Sequence, residues 1–317
     1  MRLGVIDIGS NTVHLLVVDA HYGAHPLPAV SHKIELRLSE HLVGNTVDAA
    51  GIAALSTFMQ EARELADDHG VEEMLAFATS AIREAGNGQA VLDTLGAQAG
   101  VPVQVLAGSD EARVTFLAAR RWCGWSAGNL LVLDIGGGSL ELAIGVDEEP
   151  DAAVSVPLGA GRVTNDLLAG DPPTPARIKE ARRTIRATLA AGVRPILRAQ
   201  DADTVVGTSK TFRSLARLAG AAPSNAGPLV TRTLDRDDLR EVIATLAPLT
   251  GAERTRLPGV SGVRSHQVLA GALVAEAAMD LLHVERLTIC PWALREGLIL
   301  RRLDVIPDPG GSSPGDA

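Results

Sequence analysis

Short apolar runs open the chain. Leu3 to Ile6 reads as a strand and Val13 to Val18 as a second, with Asp7-Ile8-Gly9-Ser10-Asn11 between them as a tight, glycine-containing turn. Ile34-Glu35-Leu36-Arg37-Leu38 alternates apolar and polar positions and predicts a third strand over 34–38. The period then lengthens. Ile52, Leu55, Met59, Ala62 and Leu65 share one helical face over 51–69, and Gly70 is placed to end that helix. Met74 to Ala78 predicts a strand, 89–99 a helix and Val101 to Leu106 another strand. Ser109 is positioned to cap a helix running to about Trp122. The order is βββαβαβα.

The second half starts the same way. Leu131-Val132-Leu133-Asp134-Ile135-Gly136-Gly137-Gly138-Ser139 matches Val5 to Asn11 without a gap, and an apolar run from Leu140 to Val146 follows it as Val13 to Val18 follows the first. Strands are predicted at about 130–135, 139–146 and 152–157. Thr174-Pro175 opens a helix whose apolar face continues through Ile178, Ala181, Ile185 and Leu189. A strand from Thr204 to Val206 leads through Gly207-Thr208-Ser209-Lys210 into a helix. Residues 221–283 read as mostly helical extra material, and a strand (286–290) and helix (292–302) complete the unit. A repeat on this scale predicts two similar α/β domains facing each other across a cleft, 1–125 and 126–303, divided near Gly124 to Gly128. Residues 304–317, rich in Pro, Gly and Ser toward the end, are expected to be a disordered tail.

Composition narrows the function. The chain has 317 residues, enough for two domains, and only 3% are aromatic, so aliphatic side chains must fill the cores. No apolar stretch reaches membrane-spanning length and no basic, apolar leader begins the chain, which predicts a cytoplasmic protein starting near Met1. Cys123 and Cys290 have neither metal-ligand nor disulfide-framework spacing and read as buried thiols. A net charge of −9 argues against nucleic acid as a partner. It leaves room for a polyanion held by a local cluster of Arg and Lys.

Each Asp-Ile-Gly turn lets backbone N–H groups approach an anion with no Cβ in the way, while the Asp, ending a buried strand, offers a hard oxygen to Mg²⁺. One such turn is most simply a structural β-turn; two at equivalent places favour a phosphate site. Glu111 falls in the first turn of a predicted helix, where it either complements the helix dipole or orients a water for in-line attack on phosphorus. The dipole is expected to lower its pKa. Glu141 shares a strand face with Ser139 and either points into the cleft or faces solvent. Arg83, Lys210 and Arg264 each follow a strand end or loop where a phosphate could sit, and Thr208-Ser209 begins a helix. His14, His266 and the remaining histidines have no metal spacing. Neither a P-loop nor Gly-x-Ser-x-Gly occurs.

These motifs, in this order, resemble the exopolyphosphatase/guanosine-pentaphosphatase (Ppx/GppA) phosphatases of the actin-like superfamily. They are Asp7 to Thr12 with His14-Leu15-Leu16, Ala78 to Ala85, Gly108 to Arg113, Asp134 to Glu141, Gly207 to Thr211, and Arg295-Glu296-Gly297. Within the family the resemblance is closest to the short exopolyphosphatases of actinobacteria. It implies an α/β fold of two duplicated actin-like (ribonuclease H-like, ASKHA) domains, with the last helix packing back on the first. It also implies Glu111 as the catalytic base, Glu141 as a second essential acid, and Asp7, Asp134 and Glu141 as metal ligands. Phosphate contacts would come from Ser10, Asn11, Arg83, Gly137, Gly138, Ser139, Thr208, Ser209, Lys210 and Arg264. Asp110 stands where many members have Glu. The implied cofactor is Mg²⁺, with Mn²⁺ and K⁺ as further candidates. The implied partners are inorganic polyphosphate, guanosine pentaphosphate (pppGpp) and a second copy in a homodimer. Long members carry an extra C-terminal helical region, so a chain of this length is expected to take short polyphosphates non-processively. Two other classes compete. A small-molecule kinase would need an adenine pocket, which the sequence does not display, and a non-catalytic sensor would have no use for both acids.

Overall fold

In a computed structural model of the chain, residues 1–307 are described apart from Tyr22 and Leu27 and the side chains of Ser39 and Glu40. The first half forms strands β1 (Arg2–Ile8), β2 (Thr12–Asp19) and β3 (Pro28–Glu35), helix α1 (Ala49–Asp68), strand β4 (Glu73–Ala78), helix α2 (Gly88–Ala99), strand β5 (Val103–Val105) and helix α3 (Gly108–Cys123). Its sheet runs β3-β2-β1-β4-β5: the opening strands are antiparallel, and β4 and β5 join parallel to β1.

The second half repeats this plan with β6 (Leu130–Ile135), β7 (Leu140–Gly145), β8 (Ala152–Val156), helices α4 (Ala160–Leu167) and α5 (Pro175–Gly192), β9 (Thr204–Thr208) and α6 (Ser209–Leu218). After these come β10 (Thr233–Asp235), α7 (Arg236–Leu246), α8 (Val268–Leu281), β11 (Arg286–Ile289) and α9 (Leu294–Asp304). The sheet order is β8-β7-β6-β9-β11-β10, the first sheet's plan plus one antiparallel strand. The correspondence reaches single hydrogen bonds. Gly9 N donates to Thr12 O at 3.0 Å in one turn, and Gly136 N to Ser139 O at 2.9 Å in the other.

Local chemistry explains most boundaries. Asp48 caps α1 by accepting from Gly51 N at 2.7 Å, and Thr174 caps α5 ahead of Pro175. Several expectations shift. The third strand lies at 28–35 rather than 34–38, because the N–H groups of Leu36 and Arg37 both donate to Asn11 O and Arg37 turns left-handed at φ 48°. Leu36 and Leu38 are still buried, so their alternation marked a core contact and not a strand. Ser109 does not cap α3; Ala107 occupies the cap position with no side-chain bond. The extra material between 221 and 283 holds a strand, β10, besides its helices. Helix α4 follows β8 where none was predicted. Of the tail expected over 304–317, Asp304 still ends α9 and residues 308–317 lie outside the described residues.

Helices α1 and α2 close the outer face of the first sheet around Leu55, Phe58, Met59 and Leu95, while α4 to α8 close that of the second. The inner faces are covered by exchange. Phe116 and Ala119 of α3 pack with Leu130, Val132 and Val206 on the second sheet, and Leu298, Ile299 and Leu303 of α9 pack with Leu3, Val5 and Leu16 on the first. Each half's last helix thus lies against the other half's sheet. The two helices touch at Gly297, where an added Cβ would come within 2.1 Å of Val114 O. No helix among the described residues is long and apolar enough to cross a membrane.

Candidate active site

The two turns face each other. A Cβ on Gly137 would lie 2.7 Å from Ser10 Cβ and 3.0 Å from Asn11 Nδ2, so only glycine lets the turns come this close. Between and around them is a cavity of about 150 Å³. Of the residues singled out from sequence, Asp7, Ser10, Asn11, Glu111, Asp134, Gly137, Gly138, Ser139, Glu141, Ser209, Lys210 and Arg264 all line it. The glycine main chain and small hydroxyls of this wall suit a compact anion, and its four carboxylates suit a cation beside it.

Two candidates stand back from the cavity. Thr208 is fully buried and donates its hydroxyl to Trp292 O at 2.7 Å, which takes it away from any phosphate. Arg83 does not line the cavity. Its Nη1 donates to Glu111 Oε1 at 2.6 Å and to Leu106 O at 2.5 Å, so it holds the carboxylate from behind.

Glu111 sits in the first turn of α3 and is 6% exposed. The expected lowering of its pKa by the helix dipole is overturned. Burial pushes the carboxyl up to about 7 against the hydrogen bond and charge of Arg83, with Asp7 and Asp134 adding to the rise. Desolvation acts on the whole carboxylate, whereas a dipole end contributes only partial charge.

Glu141 faces the cleft and not solvent. It pairs in register with Asp134 across β6 and β7, and Ser155 Oγ donates to its Oε1 at 2.8 Å. Burial raises its pKa well above the ordinary carboxylate range, and neighbouring Glu111 and Asp134 raise it further. Burial likewise lifts Asp134 to about 6, against a hydrogen bond from Ser209 and the charges of Arg213 and Arg264. Asp7 is raised by burial too, although Arg295 Nε lies 3.8 Å from its Oδ2. In the first repeat the position equivalent to Glu141 is His14, opposite Asp7. The duplicated scaffold therefore carries its acids unequally.

The proposed ligand trio Asp7, Asp134 and Glu141 does not converge. Among the described residues, no three acidic, His or Cys side chains come together closely enough to hold an ion by themselves. The donors still fit a hydrated cation. Asp7 Oδ1 is buried with no hydrogen-bond partner. Mg²⁺ is commonly held by one or two carboxylates, with water and phosphate oxygens completing its shell.

Sequence reasoning passed over several residues that shape the site. Gln267 Nε2 donates to Asn11 Oδ1 at 3.0 Å across the cleft, and Arg162 Nε donates to Gly138 O at 2.8 Å while its other end pairs with Glu84 of the first half. Thr79, Ser80 and Thr115 also line the cavity. Ser80 was legible as part of the Ala78 to Ala85 motif; Gln267 and Arg162 lie in segments with no local signature. Ser209, a non-glycine residue at φ 72°, starts α6 beside Asp134. Backbone strain of this kind collects at functional sites.

The Ppx/GppA phosphatase family profile matches residues 17–305. Exopolyphosphatase 1 of Mycobacterium tuberculosis is 54% identical over 305 residues, covering 96% of this chain and 89% of that protein. The guanosine-5'-triphosphate,3'-diphosphate pyrophosphatase of Aeromonas hydrophila is 28% identical over 298 residues, 93% of this chain but 58% of that protein. The solved structure of the Aquifex aeolicus PPX-GPPA enzyme superposes with a TM-score of 0.78 at 26% identity, covering 95% of this chain and 99% of that chain.

Proposed function

The chain belongs to the Ppx/GppA phosphatase family, and from that premise we propose that it is an exopolyphosphatase, removing the terminal phosphate of inorganic polyphosphate. The observation that carries the reading is Glu111: a buried carboxylate, steered by Arg83, in the same cavity as two apposed glycine turns. The N–H groups of the turns, with Ser10, Asn11 and Ser139, hold the terminal phosphate. Glu111 takes a proton from water as its oxygen bonds to phosphorus; the bridging P–O bond breaks, and the shortened chain leaves with that electron pair. A carboxyl raised to about 7 by burial is a better base at neutral pH than an exposed one. Glu141 is the second acid of the same cavity, close enough to Glu111 for the two charges to act on each other.

Mg²⁺ fits this reading with Asp7 and Asp134 as its protein ligands, and when bound it offsets phosphate charge. Polyphosphate ranks ahead of guanosine pentaphosphate because the relative named for polyphosphate is 54% identical and the one named for the guanosine nucleotide 28%. A homodimer belongs to the same proposal.

The test is phosphate release from short polyphosphate, long polyphosphate and guanosine pentaphosphate in parallel, with Mg²⁺, by wild type and Glu111→Gln. Release from polyphosphate that falls about a hundredfold or more in the variant is expected for loss of a general base. No release by wild type, or equal release by the variant, would defeat the reading.

A further inference from the structure

Three peptide carbonyls of the second glycine turn are held by helix α4. Ala160 N donates to Gly136 O at 2.9 Å and Arg162 N to Gly137 O at 3.0 Å, and the Arg162 side chain takes Gly138 O through Nε at 2.8 Å. The fit is close: a Cβ on Gly159, which precedes α4, would lie 2.3 Å from the carbonyl carbon of Gly138. In a trans peptide the N–H points opposite to the carbonyl that shares its plane. Holding these three oxygens on α4 therefore turns the N–H groups of Gly137, Gly138 and Ser139 away from the helix. All three residues line the cavity, and among the described residues none of the three N–H groups donates to a main-chain carbonyl.

Arg162 has a second hold. Its Nη2 donates to Glu84 Oε2 in the first half of the chain, and the other oxygen of that carboxylate lies 3.8 Å from Arg83 Nη2. Arg83 in turn donates to Glu111 Oε1 at 2.6 Å. Alternating charges on Arg162, Glu84, Arg83 and Glu111 thus join the turn of one half to the buried carboxylate of the other. The outer pair does little for stability, because its side chains are 31% and 44% exposed. Its geometry sets it apart. Arg121 and Arg302 close on carboxylates alone, whereas Arg162 holds a main-chain oxygen of the glycine turn with one nitrogen and a carboxylate of the other half with another.

We propose that Arg162 is a positioning residue for phosphoanhydride cleavage: it aims the N–H groups of the second turn at the transferring phosphate and, through Glu84 and Arg83, sets that phosphate in line with Glu111. The base sits on α3 and the donors on the turn before β7, and the bridge fixes the distance between them. Small misplacements of reacting groups cost rate more than binding. The inference rests on Glu111 acting as the base in this cavity.

The experiment is steady-state phosphate release from tripolyphosphate with Mg²⁺ by the full chain. The proteins are wild type, Arg162→Met, Arg162→Lys, Glu84→Gln and Arg162→Met/Glu84→Gln. In the folded fraction, read by urea melts, kcat should fall about thirtyfold in Arg162→Met and about threefold in Glu84→Gln, with KM changing far less in both. Glu84 acts through the bridge, so adding Glu84→Gln to Arg162→Met should cost less than Glu84→Gln costs alone. Lysine offers a point charge where arginine offers a fork, so Arg162→Lys should fall between Arg162→Met and wild type. Should Arg162→Met fail to fold, Arg162→Lys and Glu84→Gln carry the test by the same split of kcat against KM. Losses that multiply in the double variant, losses confined to KM, or a wild-type kcat in Arg162→Lys overturn the proposal. If wild type releases no phosphate, the functional reading fails, and the bridge is judged by amide exchange at Ala160 and Arg162, whose N–H groups the turn's carbonyls protect. Exchange about threefold faster in Glu84→Gln, which touches neither amide, supports the bridge; exchange equal to wild type overturns it.

Discussion

Glu111 links the fold to the chemistry through its environment. Its carboxyl is raised to about 7, chiefly by burial. A base must be ionised, so kcat/KM is expected to climb as pH rises through about 7 and then level, an acid limb far above the ordinary Glu value of about 4.3. Stability has the opposite sign. A carboxyl raised in the folded state contributes stability that is complete below about pH 4.3 and is lost as pH rises through about 7. Phosphate release across pH, paired with denaturant melts of wild type and Glu111→Gln, checks both. An acid limb near pH 4, or melts with the same pH dependence in both proteins, would overturn it. The raised value was not legible in the sequence, where only the helix terminus was visible; a dipole is local, whereas burial is decided by α3 lying on the second sheet. The Asp-Ile-Gly turns were legible because turn chemistry is local as well. Gln267 was not, because its bond to Asn11 joins positions 256 apart in the chain. Thr208 misled for a related reason: its motif predicts a helix start correctly but not that its hydroxyl turns toward Trp292.

The elements that matter most to the site are α3 and α9. Each ends its own half and packs on the sheet of the other. Their apolar periodicity predicted helices, but no period in one helix says which sheet it will cover. Gly297 fixes the spacing where they meet, because a Cβ there would fall 2.1 Å from the main-chain oxygen of Val114. Backbone cannot rotate away as a side-chain tip can. Gly297→Ala is therefore expected to cost about 1–3 kcal/mol of stability, as overpacking does. It should also lower phosphate release from the folded fraction, since Glu111 rides on α3 and Leu294 of α9 lines the cavity. Urea unfolding and activity measured on the same preparation read both effects. An unchanged midpoint would show that the crossing yields freely, and a lost midpoint with intact activity would separate it from the site. Edge elements were harder to place. Strand β3 ends at Glu35, immediately before Leu36 and Arg37, because Asn11 O takes both their N–H groups, a contact visible only once the turn is folded.

At the scale of the whole molecule, duplication sets acidic groups from both halves around one cavity. Burial is the largest cause raising Asp7, Glu111, Asp134 and Glu141 alike, so the fold bears an electrostatic cost at the place where the halves meet. A cation that binds only the folded chain offsets that cost. Its stabilisation follows RT ln(1 + [L]/Kd), about 2.7 kcal/mol at a hundredfold excess over Kd. For a chain of this size that corresponds to a rise in Tm on the order of 5 °C. Mg²⁺ is therefore expected to raise Tm in wild type, and chelation to reverse the rise. The rise should be smaller at pH 5 than at pH 8, because protonated carboxyls bind cations poorly. In Asp7→Asn/Asp134→Asn the apo protein should melt no lower than wild type, having lost two raised carboxyls, while the response to Mg²⁺ should largely disappear. The pair of outcomes separates a ligand role from a structural one: were the two aspartates needed only for packing, the variant would melt early and still respond. A full Mg²⁺ response in the variant would move the ion to other residues. Differential scanning calorimetry at the two pH values, with and without chelator, decides between them without any measurement of activity.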